Sequence, residues 1–131
     1  MNRETILTKL KEEVPGLLAL YAFGSRIEGT ATPSSDLDLA ILVEGYADPL
    51  ALWALSGSLE DLAGCPVDLL DLRSASTVMQ YRIVTTGERW WSKDLQALLY
   101  EAVILSEKTE LDTARAALVA DIHQRGSVHG R

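Results

Sequence analysis

The sequence predicts an α/β domain, on three observations. Apolar runs at 17–23, 36–43 and 67–72 are short and bounded by Gly, Pro or Asp, as buried strands are. Segments near 3–13, 49–61 and 76–84 carry apolar residues at helical spacing. The two kinds of segment alternate along 131 residues, 47% of them apolar, enough for one core and one domain.

The first helix is expected over Arg3 to Glu13, with Asn2 as cap and Ile6, Leu7, Leu10 and Val14 as one stripe. Pro15-Gly16 ends it. Leu17 to Phe23 is the first strand, apolar throughout and so buried on both faces. Gly24-Ser25 turns the chain into a short helix that stops at Gly29. A loop with Thr30, Thr32, Pro33, Ser34 and Ser35 leads to a second strand, Asp36 to Val43.

Asp48 caps the next helix, with Pro49 at its first position and Leu52, Leu55, Leu59 and Leu62 at helical spacing. Gly57 weakens its middle and suggests a close approach to the sheet. After Gly64-Cys65-Pro66, Val67 to Leu72 is the third strand. Ser74 or Ser76 caps a helix through about Val84, with Val78, Met79 and Ile83 inward. Arg89 to Ser92 is a short edge strand. Asp94 opens a helix carrying Leu95, Leu98, Leu99, Ala102 and Val103, interrupted at 106–108. A last helix from about Thr109 carries Leu111, Ala114, Leu118 and Ile122, and 126–131 is a frayed tail.

Composition excludes several classes. No apolar run approaches the roughly 20 residues of a membrane span. The N-terminal stretch has charges within its apolar pattern, unlike a signal peptide. Cys65 is alone, so the chain has no internal disulfide framework, and the cytoplasm is the expected location. A net charge of −7 repels phosphate backbones and argues against direct nucleic-acid binding, though not against a nucleotide arriving with Mg²⁺.

The chemistry lies in Tyr21 to Val43. Asp36 and Asp38 are two apart on an extended run, so both carboxylates point to one face. At about 4 Å and an effective dielectric near 20, two such charges repel by roughly 4 kcal/mol. Protonation of one, or a cation between them, relieves that. Oxygen-only ligands with room for phosphate oxygens suit Mg²⁺. Gly24 lets the backbone approach an anion, and Ser25 offers a hydroxyl and an N–H at a helix start. Facing halves of this kind suggest nucleotidyl or phosphoryl transfer. On the third strand, Asp68 shares a face with Leu70 and Leu72, and Asp71 shares the other with Val67 and Leu69. A carboxylate in a buried strand needs a reason, and metal ligation is one.

Gly24-Ser25, ten residues, then Asp36-Leu37-Asp38 resembles the signature of the polymerase-beta-like nucleotidyltransferases. The short chain and the run SDLDLAIL are most similar to the minimal nucleotidyltransferases, the antitoxin halves of two-gene modules whose toxin is a HEPN-domain RNase. The resemblance implies a small mixed sheet flanked by helices and a helical C-terminus, with residues 1–125 as the domain. It implies two Mg²⁺ ions held by Asp36 and Asp38, and a third acid on the neighbouring strand: Asp68, with Asp71 as runner-up because a one-residue slip exchanges the faces. Gly24 and Ser25 would hold the leaving pyrophosphate of ATP, with Arg26 and Ser35 as further nucleotide contacts. Arg26 has a plain reading as a solvated helix residue, and Ser34 and Ser35 as loop formers. The activity implied is transfer of AMP to a tyrosine hydroxyl of the cognate HEPN toxin. A small-molecule nucleotidyltransferase and an antitoxin acting by binding alone are the alternatives. Trp90, Trp91, Tyr81 and Arg82 read as edge or partner surface, and His123, His129 and the acidic run 107–112 as solvated.

Overall fold

β1, Leu17–Phe23, is the strand on which the sheet is built: all seven of its residues are buried. The structure is a computed structural model that describes residues 3–32 and 34–109. β1 pairs antiparallel with β2, Leu37–Val43, on one side and with β4, Glu88–Ser92, on the other. β3, Val67–Asp71, pairs parallel with β2 and completes a mixed sheet of order β3-β2-β1-β4. A parallel neighbour requires a crossover, and α3, Pro49–Ala63, supplies it. Asp48 caps α3 by accepting from Leu50 N at 3.2 Å.

Helices cover both faces. α1, Arg3–Glu13, and α3 lie on the face formed by Leu20, Ala22, Leu37, Leu39, Ile41 and Leu69. α4, Thr77–Thr86, and α5, 95–109, lie on the face formed by Ala19, Tyr21, Phe23, Ala40 and Leu42. Ser76 is the cap of α4, accepting from Met79 N. α5 is tied down by Ala97 and Ile104, both essentially inaccessible. It is also held by Glu101, which accepts from Tyr21 Oη at 2.7 Å and pairs with Arg89. Burial, followed by that acceptor, pushes the Tyr21 phenol above its ordinary range.

Several expectations are corrected. α5 runs unbroken through 106–108. Its Leu95, Leu98, Leu99 and Val103, to which periodicity assigned no inner or outer side, face outward. Val78 is likewise exposed, and Gln80 takes the inward place beside Ile83, its amide donating to the carbonyls of Leu72, Arg73 and Ala75. Trp90 and Trp91 are half-buried against α1, not an open surface. A register shift in β4 puts both rings on one side, where Arg3 and Lys11 lie over them at 4.7 and 4.6 Å. Arg82 pairs with Glu28, and Tyr81 lies beneath Lys108. Asp36 precedes β2 rather than opening it. The Asn2 cap, the terminal helix, the tail and both histidines lie outside the described residues.

Gly57 allows no close approach: it is exposed, and a Cβ there meets nothing within 4 Å. Gly87, by contrast, is tightly enclosed. A Cβ there would sit 2.5 Å from the Ile83 carbonyl and 2.7 Å from that of Ala22. Gly57→Ala should therefore stabilise the chain by about 1 kcal/mol in denaturant unfolding. Gly87→Ala should cost about 1–3 kcal/mol, because two backbone carbonyls must move.

Candidate active site

β1 ends at Phe23, and the next residue has to clear the carboxylate opposite. Phe23 pairs with Asp38 across the antiparallel ladder. Gly24 follows at φ 81°, ψ −162°, outside the range of ordinary side-chain-bearing residues. A Cβ on Gly24 would lie 2.2 Å from Asp38 Oδ2. The missing side chain is thus the space the Asp38 carboxylate occupies, which a turn-only reading of Gly24 did not anticipate.

Gly24 also opens α2, Ser25–Glu28, its carbonyl accepting from Ile27 N and Glu28 N at 3.0 and 2.9 Å. After Gly29 the loop closes on itself. Ser35 N donates to Thr32 O at 3.0 Å, and Thr32 N donates to Ser35 Oγ at 2.8 Å. Arg26 donates through Nε and Nη2 to the Ser35 carbonyl at 3.0 and 2.8 Å. In this structure Arg26 is a clamp on the loop that delivers Asp36, a role neither of its sequence readings contained. The two-donor fork on a single acceptor suits a guanidinium and not an ammonium.

The parallel ladder then sets the second acid. Asp38 pairs directly with Asp68, with Leu37 opposite Val67 and Leu39 opposite Leu69. Asp38 is half-buried, and Asp68 and Asp36 are exposed. Burial, then Asp68, then Asp36 raise the Asp38 carboxyl above the usual carboxylate range. None of the ion pairs among the described residues uses Asp36, Asp38 or Asp68. The exposure of Asp68 removes one sequence argument, since an accessible carboxylate needs no metal to account for its burial.

Asp71 is elsewhere and occupied. It is buried on the opposite face, its Oδ2 accepting from Ala47 N at 2.9 Å and Ser74 Oγ at 3.2 Å. Its Oδ1 accepts from Arg73 N at 3.0 Å. Three donors satisfy it as a cap for the short 3-10 turn at Leu72–Ser74 and as an anchor for the 44–48 loop.

Asp36, Asp38 and Asp68 are neighbours without converging. No three His, Cys, Asp or Glu side chains among the described residues are close enough together to hold a metal ion. The donor set still fits Mg²⁺ in kind: oxygen ligands only, with Asp68 and Asp36 adding to burial in raising the Asp38 carboxyl.

Residues 4–96 match the family model described as Polymerase beta, Nucleotidyltransferase. The chain is 34% identical over 122 residues to the protein adenylyltransferase MntA of Shewanella oneidensis, covering 93% of this chain and 88% of that one. It resembles a toxin–antitoxin crystal structure with AMP-PNP at TM-score 0.81 and 34% identity, over 94% of this chain and 99% of the other. It also resembles the structure of a tri-AMPylated Shewanella oneidensis HEPN toxin in complex with its MNT antitoxin, at TM-score 0.74 and 31% identity, over 92% and 95% of the two chains. A site of this geometry, in a chain so matched over most of its length, belongs to a member of the polymerase beta nucleotidyltransferase family.

Proposed function

We propose that this protein is an antitoxin that transfers AMP from ATP to a tyrosine hydroxyl of a cognate HEPN toxin and neutralises it. The observation that carries the reading is the pairing of Asp38 with Asp68 beside Asp36, against the bare backbone of Gly24. The relatives support the same reading, because one is named a protein adenylyltransferase and another is in complex with an AMPylated toxin.

The chain's own residues divide the work as follows. Gly24 and Ser25 hold the β- and γ-phosphates, using backbone and hydroxyl where α2 begins. Asp36, Asp38 and Asp68 would hold Mg²⁺, which when bound neutralises triphosphate charge and fixes its geometry. Arg26, through the Ser35 carbonyl, keeps the approach to Asp36 in place. The acceptor oxygen attacks the α-phosphorus in line, a new P–O bond forms, and the bond to the bridging oxygen breaks as pyrophosphate leaves. Asp68, exposed at the end of the site, takes the phenolic proton. A tyrosine so modified carries bulk and negative charge into the toxin's own site.

Mixing the full chain with labelled ATP, Mg²⁺ and the toxin encoded beside it should label the toxin. Asp36→Asn and Asp38→Asn should lower labelling at least 1,000-fold while the chain stays folded. If they neutralise the toxin as well as wild type at equal expression, binding and not catalysis is the mechanism.

Asp38 also predicts a stability effect. Its carboxyl is raised in the folded state, so the neutral form is favoured and stability is lost as pH rises through the raised value. In EDTA at neutral pH, Asp38→Asn should melt higher than wild type, with the difference vanishing as pH falls below the ordinary carboxylate range. Added Mg²⁺ with a non-hydrolysable ATP analogue should raise the melting temperature of wild type only. Gly24→Ala should abolish that rise too, because the new methyl displaces Asp38.

A further inference from the structure

A well-formed cavity among the described residues lies away from the carboxylates. It is a groove of about 750 Å³ between the end of α1, the end of β2 and α3. Its walls are Val14, Val43, Ala51, Leu52 and Leu55, and its polar rim is Glu13, Glu44 and Asp48; no lysine or arginine lines it. Val43 is five residues beyond Asp38 on β2, about 17 Å along the strand, so the groove and the candidate active site occupy opposite ends of the sheet.

The surface continues apolar outside the groove. Tyr46 on its edge is 72% exposed, and Leu50 and Trp53 on the outer side of α3 are 78% and 80% exposed. An apolar patch of this kind with a polar rim marks an interaction site, and Trp and Tyr are the residues that most often carry binding energy in one. The rim charges decide the occupant. Lys9 pairs with Glu13 at 3.3 Å from outside the groove, and Asp48 Oδ1 accepts from Leu50 N. Neither contact reverses the sign of a rim on a chain of net charge −7.

We propose that this groove docks an amphipathic helix of a partner protein, with apolar side chains entering between α1 and α3 and flanking Lys or Arg meeting Glu13, Glu44 and Asp48. Shape and apolar walls give the affinity, and the rim gives orientation and selection against acidic segments. Tyr46, on the groove's edge, closes over the inserted side chains and accepts cation–π contact from the flanking bases. This inference is independent of the nucleotidyl-transfer reading, because no proposed catalytic residue lines the groove.

The test uses the full chain and a labelled 16-residue designed helix with Leu on one face and Lys on its flanks. A second peptide has Glu at each Lys. Fluorescence anisotropy should show binding of the Lys peptide and at least tenfold weaker binding of the Glu peptide. Ala51→Arg, which fills the groove and opposes the flanking bases, should weaken the Lys peptide at least tenfold. Tyr46→Ala, at an exposed position with no fold to disturb, should do so about tenfold, and Glu44→Lys about threefold. Circular dichroism checks each variant. Absence of binding, equal binding of both peptides, or binding unmoved by Ala51→Arg and Tyr46→Ala overturns the proposal. So does a dimer of the chain alone that Ala51→Arg dissolves, since a second copy would then be the occupant.

Discussion

A parallel β-ladder holds two carboxylates side by side, and most of the site follows from that contact. Asp38 faces Asp68 because β2 and β3 are in register from Leu37 and Val67 onward. The hydrogen bond from Leu37 N to the Pro66 carbonyl, 2.8 Å, starts that register. A sheet gains nothing from like charges placed opposite each other. Their persistence here depends on the apolar residues on either side: Leu37 and Leu39 are fully buried, and a slip of one residue would carry both to the wrong face. Fold stability thus enforces a local electrostatic cost, and the Asp38 carboxyl is raised first by its burial and then by Asp68 and Asp36.

Gly24 and Arg26 make the rest of the site possible in different ways. Gly24 removes a side chain so that Asp38 can lie against the backbone of the preceding strand's end. Arg26 holds the loop that brings Asp36 up to the pair. Neither is explained by the turn and helix it sits in. The opposing end of the sheet is organised on other terms, with Asp71 buried and satisfied among the 44–48 loop and the 3-10 turn. One strand therefore carries two acids of unlike purpose, separated by the face on which each lies.

The sheet was legible because its strands are nearly pure apolar runs, and β1 and α1 fall where the sequence places them. Alternation put Asp36 and Asp38 on one face, and the family resemblance, not alternation, selected Asp68, which the ladder places opposite Asp38. Asp71 could not be separated from Asp68 by sequence, because the distinction rests on donors from Ala47 and Arg73 that fold in from outside the strand. The orientation of α5 was lost for a different reason. Its inner face is marked by Glu101, a charged residue whose partners Tyr21 and Arg89 are distant in sequence, while its leucines point outward. Trp90 and Trp91 depended on a bulge, which adjacent aromatic residues do not announce. The packing of Gly24 on Asp38 was likewise invisible, although a glycine at the end of a buried strand is a fair signal that something approaches there.

The most direct measurement is a crystal structure of this chain with AMP-PNP and Mn²⁺, with the metal located by its anomalous scattering. The expected result is metal density bounded by the carboxylates of Asp36, Asp38 and Asp68, with the triphosphate lying along Gly24 and Ser25. Metal bound without Asp38, or Asp68 turned away from every ion while Asp71 or another acid takes its place, would contradict it.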